Sequence, residues 1–139
     1  MSPGFEFLDH TADIGVRARG RSAEEVFAEA ARGLFHLMYD PERVTPQQER
    51  LITLRANGYE ELLYDFLSEI IYLLDADKLA MAEVEIIALS PQELRARVRG
   101  ERFDPDRHDG RMHVKAVTLH QLSVEEREGE WTAVVYFDI

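Results

Sequence analysis

Residues 131–139 form a strand that is apolar on both sides. Trp131, Ala133, Val135 and Phe137 fall on one face, and Thr132, Val134, Tyr136 and Asp138 on the other. A strand with so little charge on either face predicts a central position in a sheet, covered on both sides. It closes in Asp138 and the terminal carboxylate of Ile139, where most chains carry a frayed polar tail. Those two groups are therefore candidate oxygen ligands. The plainer alternative is that Ile139 completes the core and Asp138 meets solvent.

A second segment poses the same question near the other end. Asp9, His10, Thr11 and Asp13 lie between Phe5-Glu6-Phe7 and Ile14-Gly15-Val16, two runs that alternate as strands. Asp13 falls on the face opposite Ile14 and Val16. Carboxylates where strands meet must be solvated, hydrogen-bonded or neutralised by a cation. Ca²⁺ and Mg²⁺ take such oxygen donors, although neither an EF-hand loop nor a helical zinc motif is present. Asp9 could equally cap a turn.

Between these ends the pattern predicts two helices and several strands. Ser22-Ala23-Glu24-Glu25 is a capping box opening a helix that buries Val26, Phe27, Ala30, Leu34, Leu37 and Met38 and stops at Asp40-Pro41. Pro41 to Gln48 reads as a polar loop and Leu51 to Leu54 as a strand. Asn57-Gly58 is expected to turn the chain into a second helix carrying Leu62, Leu63, Phe66, Leu67, Ile70, Ile71 and Leu74 at helical spacing. Glu83 to Leu89 and Leu94 to Gly100 alternate as strands, and residues 103–110 form a turn-rich loop. His113 to Leu122 and Trp131 to Ile139 are expected to pair across Glu126 to Glu130. Helices and strands are not regularly interleaved, so the fold class is α+β, a single domain over residues 1–139.

Charge and composition exclude several functions. The net charge of −11 over 139 residues argues against independent high-affinity nucleic-acid binding and against an anionic membrane. It suits a metal or a basic protein partner. The absence of cysteine removes disulfides, thiolate metal sites and cysteine nucleophiles. No apolar run resembles a signal peptide or a bilayer span, so a cytoplasmic location is expected. No phosphate loop, nucleophile elbow or dinucleotide fingerprint is present. In the run from His113 to His120, Thr118 and His120 share a face of the expected strand, short of a nucleophile–base assignment, and Lys115 lies on the other.

Phe7 to Gly15, Val114 to His120 and the closing Phe137-Asp138-Ile139 resemble, in that order, the signature segments of the archease family. Gly100-Glu101, Phe103-Asp104 and His108 are similar to the family's loop before the Lys-Ala-Val-Thr strand. Leu119 and Phe66 stand where the family more often has an aromatic and a tryptophan. The resemblance implies an α+β fold with mixed or antiparallel sheets and two main helices. It implies a non-catalytic activator of the RtcB-type tRNA-splicing RNA ligase, promoting that enzyme's guanylylation and multiple turnover. It also implies a divalent cation, Ca²⁺ first with Mg²⁺ or Mn²⁺ as alternatives, on Asp13, Asp138 and Ile139. Asp9, His10, Lys115 and His120 are then neighbours or partner-facing groups. The rival readings are a metal-dependent hydrolase or nucleotide-processing enzyme using the same aspartates, and a chaperone-like module for nucleic-acid-modifying proteins.

Overall fold

The computed structural model describes residues 2–9 and 13–139. Their order is β1 (Gly4–Asp9), β2 (Asp13–Gly20), α1 (Ala23–Met38), a 3-10 turn at Pro41–Arg43, β3 (Gln48–Arg55) and α2 (Tyr59–Asp75). There follow β4 (Leu79–Ser90), β5 (Glu93–Arg102), β6 (Ala116–Val117), β7 (Ser123–Arg127) and β8 (Glu130–Asp138). One sheet runs β1-β2-β8-β6 with β7 also on β8; the other runs β3-β5-β4. Every described pairing is antiparallel. The α+β class expected from the element order is therefore what the chain adopts.

β8 is central, as its two apolar faces required. β2 holds one edge along its length, while β7 and β6 share the other. Ala133, Val135 and Phe137 are fully buried on its inner face. Both helices touch both sheets: α1 packs on β2 and on β4, and α2 reaches β3, β4, β6 and β7. A helix enclosed in this way must be apolar around much of its circumference, and eleven of the sixteen residues of α1 are buried. Each fully enclosed Phe or Leu contributes about 1.5–3 kcal/mol of burial free energy. Phe27, Leu34, Phe35, Leu62, Phe66 and Leu67 join one continuous core with residues from both sheets.

The capping box forms with a shift of one partner. Ser22 Oγ accepts the Glu25 N–H at 3.0 Å, and the Glu25 carboxylate accepts the N–H of Arg21, the residue before the cap, at 2.8 Å. The second helix begins after the expected Asn57-Gly58 turn. Gly58 stands at its N-cap with φ 124° and offers no side-chain cap, and Glu61 accepts the Asn57 N–H instead. A negative side chain in the first turn also suits the helix dipole.

The largest departure lies in residues 113–122. Only Ala116–Val117 pair as a strand; the chain then turns, with Gln121 at φ 52°. The hairpin therefore joins β7 to β8, not residues 113–122 to β8. Its two-residue loop, Glu128-Gly129, has φ 54° and 83°, the double positive twist that matches paired strands. Among the described residues no helix is long and apolar enough to cross a membrane.

Candidate functional site

The register of β2 on β8 brings the two ends of the chain together. Asp13 stands directly opposite Asp138, and Ala116 of β6 stands opposite Asp138 on its other side. Directly opposed residues of an antiparallel pair project from the same face. The next row, Ile14, Phe137 and Val117, projects to the other face, where Phe137 and Val117 are buried. One row thus enters the core while its neighbour carries two carboxylates on the opposite face. Asp13 is half-buried and Asp138 exposed. The Lys115 N–H donates to the Asp138 carbonyl at 2.8 Å, fixing the end of β8 from the far side. Ile139 follows and remains 44% exposed.

Two aspartates opposed across a ladder repel each other. The donors here are all oxygens, which is the chemistry of a hard divalent cation. Among the described residues no three His, Cys, Asp or Glu side chains group as metal ligands. A cation on this row would therefore need main-chain oxygens and water beside the two carboxylates. Asp13, Asp138 and the main-chain oxygens of Ile139 fit that requirement.

The same face continues into an aromatic platform. Tyr136 is opposite Gly15, and a Cβ added at Gly15 would lie 2.7 Å from the Tyr136 ring. The missing side chain is what lets the ring lie over β2. His120 meets that ring edge-on at 5.3 Å, and the Thr118 N–H donates to the Tyr136 carbonyl at 2.9 Å. Thr118 Oγ1 accepts the His120 N–H at 3.2 Å. Thr118 and His120 therefore belong to a turn, not to one face of a strand. The His120 ring lies against Tyr136, and the Thr118 backbone bonds to it.

The remaining expected neighbours are dispersed. Asp9 pairs with Ile14 and shares its face, so β1 does not direct it to the side from which Asp13 and Asp138 project. His10 lies outside the described residues. Lys115 contributes its backbone to Asp138, and the residue is exposed.

One polar cluster was visible in the sequence only as part of the loop resemblance. Glu101, at the end of β5, and His108, in the loop 103–112, are both buried. Glu101 accepts from the Thr45 N–H at 2.7 Å, from the Arg107 guanidinium and from His108 Nε2 at 3.0 Å. The Thr45 N–H and then Arg107 hold its carboxyl down at about 2, against the cost of desolvation. Periodicity cannot reveal such a pair, because a buried acid and a loop histidine look individually like surface residues. The loop is anchored further by the Asp40 N–H, which donates to the His108 carbonyl at 2.8 Å. These contacts explain a structural role for Glu101 and His108.

Comparison with known proteins agrees with this architecture. A model of the archease protein family matches residues 5–139. The archease of Methanosarcina mazei is 37% identical over 139 residues, spanning 97% of this chain and 95% of its own. That of Methanopyrus kandleri is 36% identical, spanning 97% and 99%. The solution structure of Methanobacterium thermoautotrophicum protein 1598 matches with a TM-score of 0.82 at 32% identity, covering 98% of this chain and 99% of that one. A crystal structure from Thermotoga maritima, described as an archease and "possible chaperone", matches with a TM-score of 0.67 at 23% identity over 95% and 94% of the two chains. This last likeness is one of fold.

Proposed function

The chain belongs to the archease family, and on that premise we propose that it is a non-catalytic accessory protein of RNA ligation. In this reading it activates an RtcB-type RNA ligase by promoting that enzyme's guanylylation and multiple turnover. The observation that carries it is the direct opposition of Asp13 and Asp138. Two carboxylates held in one row of a rigid sheet are positioned before any partner arrives, which avoids an ordering cost on binding.

Asp13, Asp138 and Ile139 would hold a divalent cation, with Ca²⁺ the first choice for an all-oxygen donor set. Such a cation, when bound, supplies charge neutralisation of the kind nucleotide transfer requires. The protein's own contribution is placement. Lys115 pins the Asp138 backbone, and Tyr136 over Gly15 stiffens the face beside it. The net charge of −11 favours rapid encounter with a basic, RNA-binding partner surface.

The test is a guanylylation time course of an RtcB-type ligase with and without this protein, each with and without EDTA. The expected result is faster guanylylation and repeated ligation only when both proteins are present. Asp13→Ala and Asp138→Ala should lose that stimulation while keeping the wild-type circular dichroism spectrum. Full stimulation by both folded variants would remove the carboxylate row from the mechanism. Release of phosphate from nucleotide by this protein alone would favour the hydrolase.

A further inference from the structure

A separate cleft opens where α1 and α2 end against the loop 103–114. It encloses about 380 Å³, a size usual for small-molecule sites. Met38, Leu74, Phe103 and Met112 give it an apolar lining, and Lys78, Arg111, His113 and Asp75 supply the charged and polar groups.

Two helix C-termini would ordinarily repel an anion. Here the carbonyls of the last turn of α1 are already bonded, as are two in the last turn of α2. His36 O accepts from the Arg111 guanidinium at 3.0 Å, Leu37 O from the Met112 N–H at 3.2 Å and Met38 O from the Arg111 N–H at 2.9 Å. On α2, the Ala76 and Asp77 N–H groups take Tyr72 O and Leu73 O. Arg111 is further engaged by Asp109 at 3.1 Å. Among the described residues, the Lys78 ammonium makes no ion pair or hydrogen bond. Asp75, exposed in the last turn of α2, is the one carboxylate in the lining.

The backbone of Lys78 adds an independent argument. Its φ of 55° places a lysine in the left-handed region just after a helix, where glycine is the less strained choice. The Phe103 N–H donates to its carbonyl at 2.7 Å and holds it there. Non-glycine residues kept in this region are concentrated at sites where the side chain is needed.

We propose that this cleft binds a small organic anion with an aromatic or aliphatic body. Lys78 meets the negative group, and Leu74, Phe103 and Met112 pack the body. Softness and adaptable shape suit Met112 to such packing.

The test uses the full chain with 1-anilinonaphthalene-8-sulfonate, an aromatic anion, and with uncharged N-phenyl-1-naphthylamine. The anion should bind saturably at one site, with amide NMR shifts concentrated at residues 74–78 and 103–114. Lys78→Gly should weaken the anion by about tenfold or more, the scale of one charge-assisted contact. It should leave the uncharged probe unaffected and melt no lower than wild type, because it relieves the backbone. Met112→Asp should weaken both probes. If Lys78→Gly melts lower, Lys78→Arg keeps the charge and must bind the anion as wild type does. Undiminished anion binding by Lys78→Gly, equal loss of both probes, weak binding by Lys78→Arg or shifts mapping elsewhere would each overturn the proposal.

Discussion

His108 donates its Nε2 proton to Glu101 at 3.0 Å, and the direction is fixed because Nδ1 already accepts the Asp104 N–H at 3.0 Å. The pair ties the loop 103–112 to β5 with a defined tautomer. It also sets an acid dependence. The Glu101 carboxyl lies at about 2, below its ordinary 4.5, because the Thr45 N–H and Arg107 favour its charged form. A depressed carboxyl stabilises the fold above its unfolded value and loses that contribution as pH falls through the folded one. The melting temperature should therefore drop between about pH 4.5 and 2. Glu101→Gln should be less stable at neutral pH and show a shallower fall across that window. An unchanged slope in calorimetry would show that Glu101 does not set it.

Tyr39 should be the most consequential hydroxyl in the core. Its phenol donates to the Met81 carbonyl at 3.0 Å and accepts the Met81 N–H at 2.6 Å. Met81 borders the register shift in the β4–β5 ladder, and the phenol satisfies backbone groups there. Burial pushes the Tyr39 hydroxyl well above the usual phenol range. Tyr39→Phe leaves two buried backbone groups without this partner, at about 1–3 kcal/mol each. Urea unfolding should show a loss of about 2–6 kcal/mol with an unchanged slope.

The legibility of these features follows how local their causes are. α1 and α2 were readable because Val26, Phe27, Leu34 and Leu62, Phe66, Ile70 repeat at helical spacing on contiguous chain. The central place of β8 followed from its two apolar faces, a property of one strand. The alternation from His113 to Leu122 misled, because Thr118 and Gln121 turn the chain through a side-chain contact and a positive φ without Gly or Pro. Periodicity alone could not place Asp13 opposite Asp138. That register depends on residues 125 positions apart in the numbering, brought together by the pairing of β2 with β8. Motif order pointed to the pair; the ladder supplies the physical reason.

Gly15 should not tolerate a methyl group. An added Cβ would meet the Tyr136 ring at 2.7–2.9 Å, closer than real contacts allow. Tyr136 must then shift, loosening its contact with His120. Gly15→Ala is expected to cost about 1–3 kcal/mol, as overpacking does. The Gly15→Ala/Tyr136→Ala double variant should lose less than the sum of the single losses, because the clash is then absent. Simple additivity in thermal unfolding would place the strain elsewhere.

Asp138→Asn separates the repulsive and ligating roles of the carboxylate row. Without a cation, opposed like charges on adjacent strands are unfavourable by roughly 0.2–1 kcal/mol. Removing the exposed Asp138 charge should raise the melting temperature of the EDTA-treated protein slightly. With Ca²⁺ the order should invert. A cation bound to the folded state stabilises it by about 2.7 kcal/mol at a hundredfold excess over its dissociation constant, and Asp138→Asn should forfeit most of that gain. Mg²⁺ and Mn²⁺ titrations then rank the ions by the shift each produces. If Ca²⁺ raises the melting temperature of wild type and Asp138→Asn equally, the ion is held elsewhere. The opposition of Asp13 and Asp138 would then be only an electrostatic cost to the fold.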